Sequence, residues 1–248
     1  MKLMELIDIS YIYHSADGET EAIKGVDLTI EEGGFTAIVG PSGSGKTTLL
    51  KIMAGLIKPS RGKVLLPENV KIAYMPQRDQ LFEWRNILKN VTISQEIEKQ
   101  DKREAERYAE ELLDKYGLGE FKKKHPSALS GGMRQRAALI RTLLSRPRLT
   151  LLDEPFSALD FQTRLYVSDD VFRILSSEKK SCVMVTHDIS EAISIADRVV
   201  LLTRRPATVK AIYRIELDKS APPTVRRELA GFTEYFKTIF SDMESSDE

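Results

Sequence analysis

The segment FTAIVGPSGSGKTTLL, residues 35–50, constrains the fold more than any other part of the chain. An apolar run of strand character ends at Gly40, and a stretch of glycine and serine follows. Lys46 then opens a helical pattern in which Leu49, Met53 and Leu56 share one face as far as Ile57, before Pro59 and Gly62 stop it. The positions Gly40, Gly45, Lys46 and Thr47 fit G-x-x-x-x-G-K-[ST] in a strand-to-helix context. Glycines at such a turn let backbone N–H groups point inward around a phosphate, and the first helical turn adds its own unpaired N–H groups. Lys46 brings positive charge toward the outer phosphates, and Thr47 a hydroxyl for magnesium.

Strand and helix alternate further along. Ile7, Ile9, Tyr11 and Tyr13 alternate, as do Val26, Leu28 and Ile30, which predicts two half-buried strands joined across the polar turn HSADGET. KVLL and VKIAYM read as strands, and from about Ile87 to Leu118 the chain is charged and helical, an insertion whose charges form a solvated face. Strand-like runs return at RLTLLDE, SCVMVTHD and RVVLLT with helical segments between them. The pattern predicts an α/β fold with a mostly parallel core sheet. TVKAIYRIEL reads as a last strand, and Leu229, Phe232, Phe236 and Ile239 as a helix packed on the body. The tail SDMESSDE is expected to fray. No linker divides the 248 residues, so one domain is expected, with a helical subdomain over roughly 78–147 and a C-terminal strand and helix over roughly 207–240.

Lys plus Arg and Asp plus Glu both number 37, so no overall field draws the protein to nucleic acid or acidic lipid. Cys182 is the sole cysteine, which excludes an internal disulfide, and its apolar setting CVMVT marks a buried, inert thiol. MKLMELIDIS has acidic residues and no long apolar segment after them, unlike a secretory signal. No window approaches the roughly 18 uninterrupted apolar residues of a spanning helix. Any membrane crossing falls to other chains.

A magnesium nucleotide requires a carboxylate near the metal, and hydrolysis requires a group that orients or deprotonates water. RLTLLDEP supplies both at the end of a buried strand, with Asp153 toward the metal and Glu154 toward water near the terminal phosphate. LSGGMRQR then places Ser130, Gly131 and Gly132 at the start of a helical segment, either an ordinary N-cap or a second anion site.

GPSGSGKTT, LTLLDE and LSGGM together resemble the Walker A, Walker B and signature motifs of the ATP-binding subunits of ABC transporters, in that family's order. The resemblance spans nearly the whole chain and implies a P-loop NTPase fold of ABC type, with an N-terminal antiparallel β subdomain and an inserted helical subdomain. It implies a head-to-tail homodimer with ATP and Mg2+ sandwiched between two copies. Gly40, Pro41, Ser42, Gly43, Ser44, Gly45, Lys46, Thr47 and Thr48 of one copy would face Ser130, Gly131 and Gly132 of the other. Tyr13 would stack on adenine, with Tyr11 as its rival. Gln77 would sense magnesium and water, His187 would hold the terminal phosphate, and Glu154 would be the catalytic base. Thr47, Gln77 and Asp153 would serve the metal, and Asp160 of SALD would cross to the partner.

MRQR, DEPFSALDFQTR and LFEW look most like importers of the nitrate, sulfonate, taurine and thiamine-pyrimidine group. That group implies integral membrane permease subunits, a solute-binding protein reached indirectly, and a peripheral place on the cytoplasmic side of the cell membrane. Two positions depart from it, Glu83 where relatives usually have proline and His125 where they usually have tyrosine. Both lie in the region expected to face the membrane subunits. The chain also ends too soon after RVVLLT for the regulatory barrel of sugar-type import ATPases, and the short tail agrees with the sulfonate and nitrate type. Rival readings are a non-transport ABC ATPase, which usually carries two such domains or a coiled coil, and a P-loop small-molecule kinase, which has no use for LSGGM.

Overall fold

β1 (Lys2–Ser15) and β2 (Gly18–Glu31) pair antiparallel, as the two alternating runs predict. The alternation itself does not persist. Asp8 takes a φ of 50° within the break in register between Leu6 and Ile9, and further shifts fall between Ile9 and Tyr11 and between Tyr11 and Ile12; Leu6 and Ile9 are buried while Ile7 is half-buried and Tyr13 exposed. An irregularity of this kind re-aims the side chains beyond it.

β3 (Phe35–Val39) is buried at all five positions and runs through the glycine-rich loop into α1 (Lys46–Met53). α1 is shorter than its apolar spacing predicts. Gly55 has a φ of 71°, its N–H reaches the Ile52 carbonyl, and the Leu56 N–H reaches that of Lys51, which is a Schellman closure. Leu56 is therefore left 60% exposed instead of extending the buried face. β4 (Arg61–Leu65) joins β1 to give a three-stranded sheet of order β2-β1-β4, and β5 (Ile72–Met75) enters a second sheet.

The charged stretch forms α2 (Ile87–Val91), α3 (Ile93–Ile97) and α4 (Lys102–Lys115). α2 and α4, with α5 (Gly131–Leu144), enclose an apolar cluster of their own that includes Val91, Leu113 and Ile140. β6 (Leu149–Asp153), α6 (Phe161–Ser177), β7 (Ser181–Val185), α7 (Ile189–Ile195) and β8 (Arg198–Leu202) then alternate as predicted. β9 (Val209–Arg214) follows, shorter than the expected strand, and α8 (Pro223–Arg226) and α9 (Phe232–Glu244) end the fold.

The six-stranded sheet has the order β5-β6-β7-β3-β8-β9, parallel throughout except for β9 at its edge. Successive residues of a strand serve opposite faces, so Ala37 and Val39 join the apolar cluster on one side and Ile38 the one on the other. α9 packs on the first of these clusters through the buried Ile239. Leu229 precedes the helix, and Ser241–Glu244 continue it where fraying was expected.

This computed structural model describes residues 1–16, 18–157, 159–177 and 180–245. Asp17 of the HSADGET turn, Ala158 of the SALD segment and Ser246, Asp247 and Glu248 of the tail lie outside the described residues. Among the described residues no helix is long and apolar enough to cross a membrane.

Candidate functional site

The glycine-rich loop, the two acids, Gln77 and His187 all lie at the carboxyl ends of four adjacent parallel strands, β5, β6, β7 and β3. In such sheets this is the edge at which ligands bind. Gly45, just before α1, has a φ of 93°, and a Cβ there would stand 3.0 Å from the Ala22 carbonyl oxygen. Glycine alone satisfies both conditions without strain. The loop closes around Lys46, whose Nζ donates to the Gly40 and Pro41 carbonyls at 2.8 and 2.9 Å and lies 3.5 Å from Ser44 Oγ. Pro41 is half-buried, Ser42 and Gly43 are exposed, and Thr48 is buried. Burial pushes the Lys46 ammonium below the usual lysine range, against the pull of Glu154 and Asp153. It is a cation enclosed by neutral carbonyls, with the carboxylates at longer range.

Asp153 ends β6 and is 3% exposed. Its Oδ1 accepts from the Thr47 hydroxyl at 2.9 Å and its Oδ2 from the Tyr74 hydroxyl at 2.7 Å. Glu154 turns out of the strand with a φ of 43°, its N–H on the Val185 carbonyl. That turn sends its carboxylate elsewhere: Oε2 lies 3.1 Å from Gln77 Nε2 and 3.3 Å from His187 Nδ1. Ser157 braces the group, accepting from Gln77 Nε2 at 3.2 Å and donating to the Glu154 carbonyl at 3.1 Å. Thr47, Asp153 and Gln77 thus offer hard oxygen donors of the kind that suit magnesium. Among the described residues no group of three His, Cys, Asp or Glu could hold a metal ion.

Tyr13 is 43% exposed and its hydroxyl is 2.8 Å from Thr48 Oγ1, while Tyr11 packs on the apolar cluster beneath. Ser130 caps α5 by accepting the Met133 N–H at 3.4 Å. Gly131 and Gly132 face Leu159 and Thr163, so the signature segment adjoins the entry of α6. Asp160, at that entry, accepts the Thr163 N–H at 3.0 Å, and hydrogen bonds from Thr163 hold its carboxyl below the usual range.

Sequence reasoning missed Tyr74, which the strand pairing sets opposite Leu151 and hence diagonal to Asp153. It also missed the ties between α5 and the segment after β5. Arg134 grips Asp79 through Nε and Nη2 at 2.9 and 3.1 Å and Glu83 through Nη1 at 2.8 Å. Arg141 donates to the Asp79 and Gln80 carbonyls at 2.6 and 2.8 Å, and Gln135 to that of Gln77 at 3.4 Å. Burial alone would raise the Asp79 carboxyl, yet Arg134 and the Leu81 N–H bring it below its ordinary range. The two departures Glu83 and His125 touch, with His125 Nδ1 3.1 Å from the Glu83 carbonyl oxygen.

A loop that wraps a lysine before a helix, with an aspartate from a neighbouring strand on the adjoining threonine, defines a P-loop nucleoside triphosphatase. Comparison with known proteins narrows the class. Residues 23–157 match the ABC transporter family. The chain is 42% identical to YtlC of Bacillus subtilis, described as an uncharacterized ABC transporter ATP-binding protein, over 99% of this chain and 97% of that one. It is 36% identical to the formylaminopyrimidine import ATP-binding protein ThiZ of Halalkalibacterium halodurans, over 92% of this chain and 88% of that one. The dimeric structure of MJ0796, a bacterial ABC transporter cassette, superposes with a TM-score of 0.75 at 30% identity, covering 86% of this chain and 99% of that one. This chain belongs to the ABC transporter ATP-binding family and is an ABC-type ATPase.

Proposed function

We propose that the chain is the ATP-hydrolysing subunit of an import system, a single ATP-binding domain over 1–248 with its helical subdomain at roughly 78–147 and a C-terminal strand and helix at roughly 207–240. Two copies enclose ATP between Gly40–Thr48 of one and Ser130, Gly131 and Gly132 of the other, with Asp160 at the crossing. They dock on integral membrane permease subunits at the cytoplasmic side of the membrane, and a solute-binding protein acts indirectly. The observation that carries the reading is the divergence of the two acids, Asp153 toward Thr47 and Glu154 toward Gln77 and His187. Lys46 meets the outer phosphates, Tyr13 stacks on adenine, Gln77 and Glu154 orient the attacking water, and His187 holds the terminal phosphate. Magnesium, held by Thr47 and Gln77 with Asp153 behind them, would neutralise charge on the β- and γ-phosphates.

Import is supported by the company the chain keeps. Besides ThiZ, it is 41% identical to an aliphatic sulfonates import ATP-binding protein, SsuB 1 of Rhodococcus jostii, over 83% of this chain and 81% of that one. The solute is accordingly small and anionic or heterocyclic.

Glu154→Gln removes the base and keeps the shape, so it is expected to bind ATP, lose nearly all turnover and accumulate an ATP-bound dimer. Tagged Glu154→Gln protein drawn with ATP from gently solubilised native membranes should carry a multi-spanning subunit, read by mass spectrometry. Soluble partners alone, with the bait intact and dimeric, would favour a non-transport ATPase. Unchanged turnover in the variant would overturn the catalytic assignment.

A further inference from the structure

Tyr74 stands in a half-buried position of β5, its ring packed against the apolar cluster that also holds Leu149 and Leu151. Phenylalanine would serve that packing equally well. A hydroxyl in such a place is unfavourable unless it is bonded, and this one is bonded to Asp153 alone among the described residues. Asp153 in turn is nearly enclosed and has two oxygens to satisfy. Thr47 meets Oδ1 and Tyr74 meets Oδ2, from opposite sides. With Oδ2 released, the carboxylate would keep its Thr47 bond and lose the second tether that fixes its rotation about χ2.

We propose that Tyr74 is a positioning residue for the divalent metal of the ATP site: by holding Oδ2 it fixes the carboxylate plane that orients the Thr47 hydroxyl. Partners of this second layer govern metal affinity without touching the metal. The proposal rests on the reading of Thr47 and Asp153 as metal-side groups, so Asp153→Asn is measured beside it.

The test is Tyr74→Phe, which keeps the ring and removes only the hydroxyl. Titration calorimetry with a non-hydrolysable ATP analogue, with and without Mg2+, separates metal-linked affinity from the rest, and Mn2+ binding to the protein–nucleotide complex is read by electron paramagnetic resonance. Tyr74→Phe is expected to weaken Mn2+ binding and the Mg2+-linked gain in nucleotide affinity about tenfold, with metal-free affinity unchanged. An equal loss with and without metal would overturn the proposal in favour of a packing role. Wild-type metal binding in Tyr74→Phe, beside its loss in Asp153→Asn, would overturn the role of Tyr74 alone. Full metal linkage in Asp153→Asn would overturn the metal-side reading of Asp153 and the proposal with it.

Discussion

Lys46 is a cation that folding has placed where its charge is poorly solvated, with the Gly40 and Pro41 carbonyls as its nearest partners. A bound triphosphate would supply the missing negative charge, so Lys46→Ala is expected to weaken ATP binding by about 1.5–3 kcal/mol, the range for a hydrogen bond to a charged group, readable by calorimetry. The pH dependence follows from the direction of the shift. Burial lowers the amine's pKa in the free protein, so the proton that attracts phosphate is lost below the usual lysine range as pH rises. Wild-type affinity should therefore fall on the alkaline side earlier than an ordinary lysine would dictate, and Lys46→Ala should lack that limb. This part of the site was legible in the chain because its residues are neighbours in sequence, and spacing alone placed them on one turn. Glu154 and Asp153 were legible because a strand end sends consecutive side chains different ways. Tyr74 was not, because its partner lies on another strand and only the register between β5 and β6 brings them together.

At the scale of elements, α5 is fastened on two sides. Arg134, Gln135 and Arg141 hold it to the segment that carries Gln77, and Gly132 lets it approach α6. A Cβ on Gly132 would come within 2.8 Å of Thr163 Cγ2, closer than packed atoms tolerate. Gly132→Ala is thus expected to destabilise the fold by about 1–3 kcal/mol through overpacking, measured by denaturant unfolding. Thr163→Ser deletes that methyl and keeps the hydroxyl, so the double variant should recover most of the loss. Recovery of stability without recovery of ATP-driven dimerisation would separate the packing role of Gly132 from a role at the partner's phosphates. The order of elements was legible from hydrophobic period, and the parallel sheet from their alternation. Their ends were not: α1 stops at a local Schellman turn at Gly55 that the apolar spacing of Leu56 gives no sign of, and the register shifts on either side of Tyr11, which depend on pairing with β2, break the alternation before Tyr13.

At the scale of the whole molecule, the signature residues adjoin the entry of α6 and the lysine loop follows β3, and the proposed dimer assigns them to different copies at each ATP site. In the head-to-tail pair proposed above, each loop would meet the other copy's signature and two equivalent sites would form about one twofold axis. The proposed pairing gives a sharp expectation for mixtures. A protein carrying Lys46→Ala has two intact signatures and no working loop. One carrying Ser130→Glu has two intact loops and no working signature. Each alone should fail to trap ATP, whereas the mixed dimer contains one complete site. With random pairing, half of the dimers are mixed, so an equal mixture should recover about a quarter of the wild-type sites, measured as ATP retained on the dimer after gel filtration. Sites built within one chain would behave otherwise, for then no pairing of the two variants could unite a sound loop with a sound signature, and the mixture would trap nothing.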